Sequence, residues 1–285
     1  MRFASLLCLS TALLSARALQ DVEYAQVSGQ SLRMDASIPD GPGPYPAAII
    51  VHGGAWVTGD KQRSVRPLFK PLADGGIAWF SINYRLARGN DPAALVSLEG
   101  LAALTSASDD VRNAIEYIRA HAAEWNVDPN RIVLIGESAG AHLASMAALR
   151  PAPGKPVQAV VAFYSPSDLV KLVDTSERIP DALRNMVKKS PLGPILMGSL
   201  KQLSPQTWVT GEAPPFLLIH GTADGLVPFE QSESMCASLR GLGASCELVS
   251  VPGAGHGMNF WEGQASMTAY KPAMMAWVRE RLGLQ

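Results

Sequence analysis

Arg131-Ile-Val-Leu-Ile-Gly136-Glu137-Ser138-Ala139-Gly140-Ala-His142-Leu-Ala-Ser-Met146 decides the fold. A β-branched run, Ile132 to Ile135, leads into Gly136-x-Ser138-x-Gly140, and an Ala-, Leu- and Met-rich helical pattern follows. The reading is strand, sharp turn, helix, with a serine at the apex. A serine lifted out on a strained turn needs neighbours without a Cβ, so that strand and helix pack closely around it. A small-residue pentapeptide alone arises readily by chance; the flanking strand and helix are what a nucleophile elbow requires.

Outward from this turn, apolar runs alternate with helical patterns. Residues 47–51 read as a buried strand ending in His52-Gly53-Gly54-Ala55-Trp56. Residues 65–74 read as a helix stopped by Gly75-Gly76, and residues 77–82 as a strand closing on Asn83-Tyr84-Arg85-Leu86. Ser108 is placed to cap a long helix whose apolar positions Val111, Ala114, Ile115, Ile118 and Ala122 keep the 3.6 period. Asp128-Pro129-Asn130 turns the chain into the serine strand. Further strands are expected at 157–163, 214–219 and 247–251, with helices at 230–240 and 264–282. Ahead of all these, residues 22–37 alternate around Ser28-Gly29-Gln30, an antiparallel hairpin at a sheet edge. Strands apolar throughout and alternating with helices mean an α/β domain: a mostly parallel central sheet with helices on both faces. Residues 169–213 break the rhythm with charges, prolines and glycines, and read as a small cap inserted over the carboxyl edge of that sheet. Neither linker nor repeat divides the chain, so one domain is expected over 19–285.

The chain has 285 residues and a net charge of −1. Nothing in that balance points to nucleic acid or an anionic membrane as a partner. His121-Ala-Ala-Glu124 lacks the glutamate and second histidine of a zinc-protease helix, and no phosphate-binding glycine loop occurs. Neither a metal nor a cofactor is expected. Residues 1–18 carry an early positive charge, a short apolar run and a small-x-small site ending at Ala18, the pattern of a cleavable secretory leader. The run is too short to remain as a bilayer anchor, and Cys8 lies within it. The expected destination is the periplasm or the medium. Removal leaves Cys236 and Cys246, for which a disulfide and two buried thiols are both open readings.

Open parallel sheets bind ligands at the carboxyl ends of their strands, and each group able to do chemistry follows a strand. A serine hydroxyl is too weak a nucleophile at neutral pH without a base. His256, between two glycines after the last strand, is the expected base. Asp224, in His220-Gly-Thr-Ala-Asp224, is expected to hold its imidazole, with Asp168 as a competing acid. The order Ser138, Asp224, His256 is that of the nucleophile-elbow hydrolases. Backbone amides of Gly54, Ala55 and Ala139 are the candidate oxyanion donors. His142, His52 and His220 read as structural. Glu137 either braces the elbow or the His52 loop, or faces solvent. Trp56, Tyr84, Trp261 and the neighbouring Phe260 are candidate pocket walls or ordinary core.

Together, His52-Gly-Gly-Ala-Trp56, Asn83-Tyr-Arg-Leu86, Gly136-Glu-Ser-Ala-Gly-Ala-His142, His220-Gly-Thr-Ala-Asp224 and Gly255-His-Gly257 resemble the α/β-hydrolase superfamily. The nearest likeness is to small secreted carboxylesterases similar to bacterial feruloyl and acetylxylan esterases and to hormone-sensitive-lipase relatives. Ala55 stands where the latter group has a third glycine, and Glu137 where it has aspartate, which favours the feruloyl-esterase-like branch. Kynurenine formamidases are similar at these positions too. The resemblance implies a cofactor-free serine esterase acting on a small or carbohydrate-linked ester; amidase or peptidase chemistry and an inert binding module are the alternatives. It leaves the oligomeric state open.

Overall fold

The computed structural model describes residues 16–87, 97–150, 156–175 and 181–284. The first fifteen residues of the expected leader, Cys8 included, lie outside that set. The strands are β1 (Ala16–Val27), β2 (Gln30–Pro39), β3 (Tyr45–Val51), β4 (Ala78–Ile82), β5 (Val127–Glu137), β6 (Ala159–Phe163), β7 (Phe216–Gly221) and β8 (Cys246–Val251). They form a single sheet in the order β1-β2-β4-β3-β5-β6-β7-β8. β1 and β2 are the hairpin, turning through Ser28 and Gly29, whose left-handed φ of 51° and 77° suit a two-residue turn between twisted strands. Ala16, Arg17 and Ala18 are the exposed first positions of β1, paired with Pro39, Ile38 and Ser37. β2 joins β4 antiparallel, and every later pairing is parallel.

The helices are α1 (Phe69–Asp74), α2 (Leu98–Ala120), α3 (Ala139–Leu149), α4 (Leu169–Thr175), α5 (Asp181–Lys189), α6 (Gly193–Gln202), α7 (Glu230–Gly241), α8 (Ala265–Thr268) and α9 (Tyr270–Arg281). Alternate strand residues feed two cores. Ala47, Ile49, Val51, Ile132, Leu134, Val160, Ala162, Phe216 and Leu218 face α2, α3 and α7. Ala48, Ile50, Val133, Ile135, Val161, Phe163, Leu217 and Ile219 face α1 and α9. Burial on both faces is why these strands read as unbroken apolar runs.

Three boundaries differ from expectation. α2 begins after Ser97, whose Oγ accepts from the Gly100 N–H. Ser108 lies buried inside the helix and donates back to the Leu104 carbonyl, because Leu101 and Leu104 extend the apolar stripe a further three turns towards the N-terminus. Residues 264–282 form two helices, since Pro272 has no N–H to continue an α8 ladder into α9. Asp128-Pro129-Asn130 falls within β5, yet the ladder is interrupted there: Val127 pairs with Tyr45 and Ile132 with Ala47.

Between β6 and β7 the inserted segment forms α4, α5 and α6. Leu196 and Leu200 of α6, with Leu203 after it, join the α2–α3 core, so the cap is part of the packed body. Cys236 of α7 and Cys246 of β8 are joined in a disulfide, with Cα atoms 5.5 Å apart. Among the described residues no helix is long and apolar enough to cross a membrane.

Candidate active site

β5 runs out at Glu137, and Ser138 follows with φ 52° and ψ −121°, a backbone conformation a serine adopts only under constraint. The constraint is visible on either side. A Cβ on Gly136 would sit 2.4 Å from the Gly140 carbonyl oxygen, and one on Gly140 would sit 2.1 Å from the Val51 carbonyl oxygen. Strand and helix thus meet at glycine contact, and the Ser138 N–H, donating 2.9 Å to Phe163 O, fixes the apex against β6.

Two distant loops reach this serine. His256, from the loop after β8, has Nε2 2.9 Å from Ser138 Oγ although the two residues are 118 apart in sequence. Its Nδ1 lies 2.7 Å from Asp224 Oδ2, after β7. The carboxylate assigns the tautomer: Nδ1–H donates to Asp224, so the Nε2 lone pair faces the serine hydroxyl. The other oxygen, Asp224 Oδ1, accepts from the amides of Leu226 and Val227, each at 2.9 Å. Burial alone would raise this acid; hydrogen bonds from His220 and His256 outweigh it and hold the carboxyl well below the usual carboxylate range. Asp168, the competing acid, caps α4 through the Lys171 N–H instead. His52 is buried, bonded through Nδ1 to Gly53 O at 2.7 Å, and kept neutral chiefly by desolvation. His220 is buried between Ser232 and Val227, with Nε2 also 3.4 Å from Asp224 Oδ2, so it supports the acid from behind.

After β3 the chain passes through Gly54, Ala55 and Trp56 at φ 114°, 50° and 61°, three left-handed residues in succession. Gly54 is obligatory, as a Cβ would lie 2.1 Å from the Thr58 carbonyl oxygen. The Gly53 N–H is taken by Glu137 Oε1 at 2.9 Å. Among the described residues, the amides of Gly54 and Ala55 have no protein acceptor. Ala139 is the first residue of α3, where helix amides lack intrahelical partners.

Trp56 is buried and donates from Nε1 to His142 Nδ1 at 3.2 Å, while His142 Nε2 donates to Leu203 O at 2.7 Å. His142 thereby ties α3 to the Gly-Gly loop and to the cap. Burial pushes it down to about 4, and a second ring proton would face the indole N–H. An unfolded histidine titrates near 6.5, so the neutral native form contributes fully above that pH. Its contribution, about 3 kcal/mol, is lost as pH falls from about 6.5 to 4. Thermal unfolding across that window should show a shallower loss of stability in His142→Gln than in the parent; equal slopes would refute the assignment.

Three expected pocket walls, Trp56, Tyr84 and Trp261, lie in the core. Tyr84 is buried, stacked on His52 at 4.4 Å, with its hydroxyl donating to His52 O. Trp261 is buried on the α9 face and donates to Gly255 O, bracing the histidine loop from behind. Tyr84 and Trp261 fill space beneath the loops that carry the polar groups. Phe260, 78% exposed and packed over Gly257 in the histidine loop, presents an open aromatic ring. Two residues had no role in the sequence reading. Gln231 staples α7 to the cap, accepting from the Ser167 and Asp168 amides; a glutamine on a helix gives no such signal. Tyr164 follows β6 directly, as the other functional groups follow their strands, and that placement was its signal.

The arrangement can move a proton from a serine hydroxyl to an imidazole and stabilise the resulting imidazolium. Comparison with known proteins agrees with that chemistry. The BD-FAE family model matches residues 34–239. Esterase LipQ of Mycobacterium tuberculosis is 35% identical over 225 residues, 74% of this chain and 50% of LipQ. The chain spans about half the length of the curated relatives it matches. A truncated carbohydrate esterase from gut microbiota superposes with a TM-score of 0.74 at 26% identity, over 95% of this chain and 97% of that one. Esterase 2 of Thermogutta terrifontis, phosphoramylated by tabun, gives 0.71 at 26% identity, over 94% and 95% of the two chains.

Proposed function

We propose that this chain, which belongs to the BD-FAE family of α/β-hydrolases, hydrolyses carboxylic esters through an acyl-serine intermediate. The observation that carries the reading is the unbroken hydrogen-bonded run from Ser138 through His256 to Asp224. His256 takes the proton of Ser138 as Oγ attacks the ester carbonyl, then gives it to the departing alkoxide. Water, deprotonated by the same nitrogen, attacks the acyl group and frees Ser138. Asp224 keeps Nε2 in its accepting form and stabilises the imidazolium in both steps. The tetrahedral oxyanion is held by the amides of Ala139, Gly54 and Ala55, each worth a factor of about a hundred or more in turnover.

Small or aromatic acyl groups of the acetyl or feruloyl type are the proposed substrates. Esterases among the relatives and a carbohydrate esterase among the structural neighbours support that class, and Phe260 offers an exposed ring in the loop that carries His256. The test is hydrolysis of p-nitrophenyl esters from acetate to laurate, and of methyl ferulate, by the protein and by Ser138→Ala. We expect kcat to fall at least about 10⁴-fold in the variant, and a fluorophosphonate to label the parent alone. Equal rates in both, or none in either, would remove the esterase reading.

We also propose that the chain works outside the cytoplasm, since a bond such as Cys236–Cys246 forms and persists mainly in oxidising compartments. Maleimide labelling before lysis and reduction should then miss both cysteines; prompt labelling of both in intact producing cells would contradict it.

A further inference from the structure

Glu137 is 5% exposed and has no cationic partner among the described residues. Its two oxygens are both engaged. Oε1 accepts the Gly53 N–H at 2.9 Å, and Oε2 accepts the Tyr164 O–H at 2.7 Å. The Tyr164 oxygen in turn accepts the Met258 N–H at 2.8 Å, two residues beyond the base. Tyr164 is wholly buried, with a left-handed φ of 38° and its ring 4.6 Å from that of His256. The absence of a side chain at Gly53 is what lets the carboxylate come this close: a Cβ there would stand 2.7 Å from Oε1.

The direction of every bond is set by chemistry. Two of the three donors are backbone N–H groups, which only donate. Since the Met258 amide already donates to the Tyr164 oxygen, the phenolic hydrogen must go to Glu137. Glu137 must therefore accept on both oxygens, which a carboxylate does and a carboxamide, with a single oxygen, cannot. The burial and hydrogen bonding that hold Tyr164 well above an ordinary phenol keep that proton in place, desolvation being the larger influence and the Glu137 charge the next.

We infer that Glu137 is a positioning residue for the reaction proposed above: one buried carboxylate joins the Gly53–Gly54–Ala55 loop, the serine elbow and the histidine loop, and Tyr164 carries the last link. The inference rests on that reading for its kinetic consequence. The loops follow β3, β5, β6 and β8, so the link crosses the sheet edge at the height where nucleophile, base and oxyanion donors must coincide. Misplacement of such groups by about an ångström costs on the order of 10²-fold in rate.

Glu137→Gln keeps the shape and can satisfy either Gly53 or Tyr164, never both. Tyr164→Phe keeps the Gly53 bond and releases Met258. Both variants should lose about ten- to a hundredfold in kcat on p-nitrophenyl acetate with KM within about twofold. The double variant should be no worse than about the poorer single one, because the two residues act through a shared chain of bonds. Hydrogen exchange supplies the readout that needs no turnover. Peptides covering residues 52–57 and 256–261 should exchange faster together in Glu137→Gln, only the second in Tyr164→Phe, and β2 in neither. Parent and Ser138→Ala run alongside: a parent no better than Ser138→Ala removes the esterase reading, and the exchange pattern still decides the link. Unchanged exchange at both peptides, or an active parent matched by both variants in kcat, would overturn the inference. A fall in melting temperature accompanied by full kcat at lower temperature would reduce Glu137 to a structural role and overturn it equally.

Discussion

Asp224→Asn should lower kcat for p-nitrophenyl acetate by about four orders of magnitude with little change in KM or in melting temperature. The carbonyl of asparagine can still take the Leu226 and Val227 amides that Oδ1 takes now. Its amide nitrogen then faces His256 Nδ1 at the place of Oδ2, and it carries hydrogens. The ring must accept there, which moves its proton to Nε2 and points an N–H at Ser138. The base is present and in position, in the wrong tautomer. A loss smaller than about tenfold would mean that Asp224 only packs the loop. Because the Asp224 carboxyl is held well below the usual carboxylate range, its protonation contributes nothing to any loss of parent activity between about pH 7 and 4.

Gly140→Ala carries the largest expected effect on stability. The added methyl would stand 2.1 Å from Val51 O and 2.4 Å from His52 O. These are main-chain atoms of a buried strand and its extension, with no flexible side-chain end to yield. Relief requires α3 to move off β3, taking Ser138 and the amide of Ala139 with it. We expect at least about 3 kcal/mol of destabilisation, or a melting temperature lower by about 6 °C or more, with activity lost in any protein that folds. Gly198→Ala in α6 is the control: nothing lies within 4 Å of its added methyl, and helix propensity favours it by up to about 1 kcal/mol. Equal melting temperatures for the two variants would show that the elbow tolerates a Cβ.

The alternation of apolar strands with helices is local and survives in the linear chain, so the sheet, the hairpin and the strand-end positions of Ser138, Asp224 and His256 were legible there. What was not legible is decided by partners far away in sequence. Whether Tyr84 and Trp261 wall a pocket or fill a core depends on which side of a loop they fall, and composition is the same either way. Glu137 left two readings open because its partners, Gly53 and Tyr164, lie in other loops. Ser108 misled for another reason: Ser-Asp-Asp has the chemistry of a helix cap, and only the packing of Leu101 and Leu104 carries α2 past it. The two cysteines, close in sequence, could not report on their own whether helix and strand would bring them within bonding distance.

Ala55, Trp56, Ser138 and Tyr164 all hold left-handed φ angles within the residues that surround the triad. Each such angle costs on the order of 1–3 kcal/mol, and the rest of the domain must outweigh it. Ser28 holds the same kind of angle in the exposed hairpin turn, where no chemistry depends on it. Heat resistance and turnover are therefore separable in this chain. A glycine at Ser28 relaxes the backbone at no expense to the proposed reaction, whereas relaxing the angle at Ser138 dissolves the geometry on which its proposed role as nucleophile depends. Selection for durability alone would have no reason to spare the second, and selection for both would be driven to the periphery.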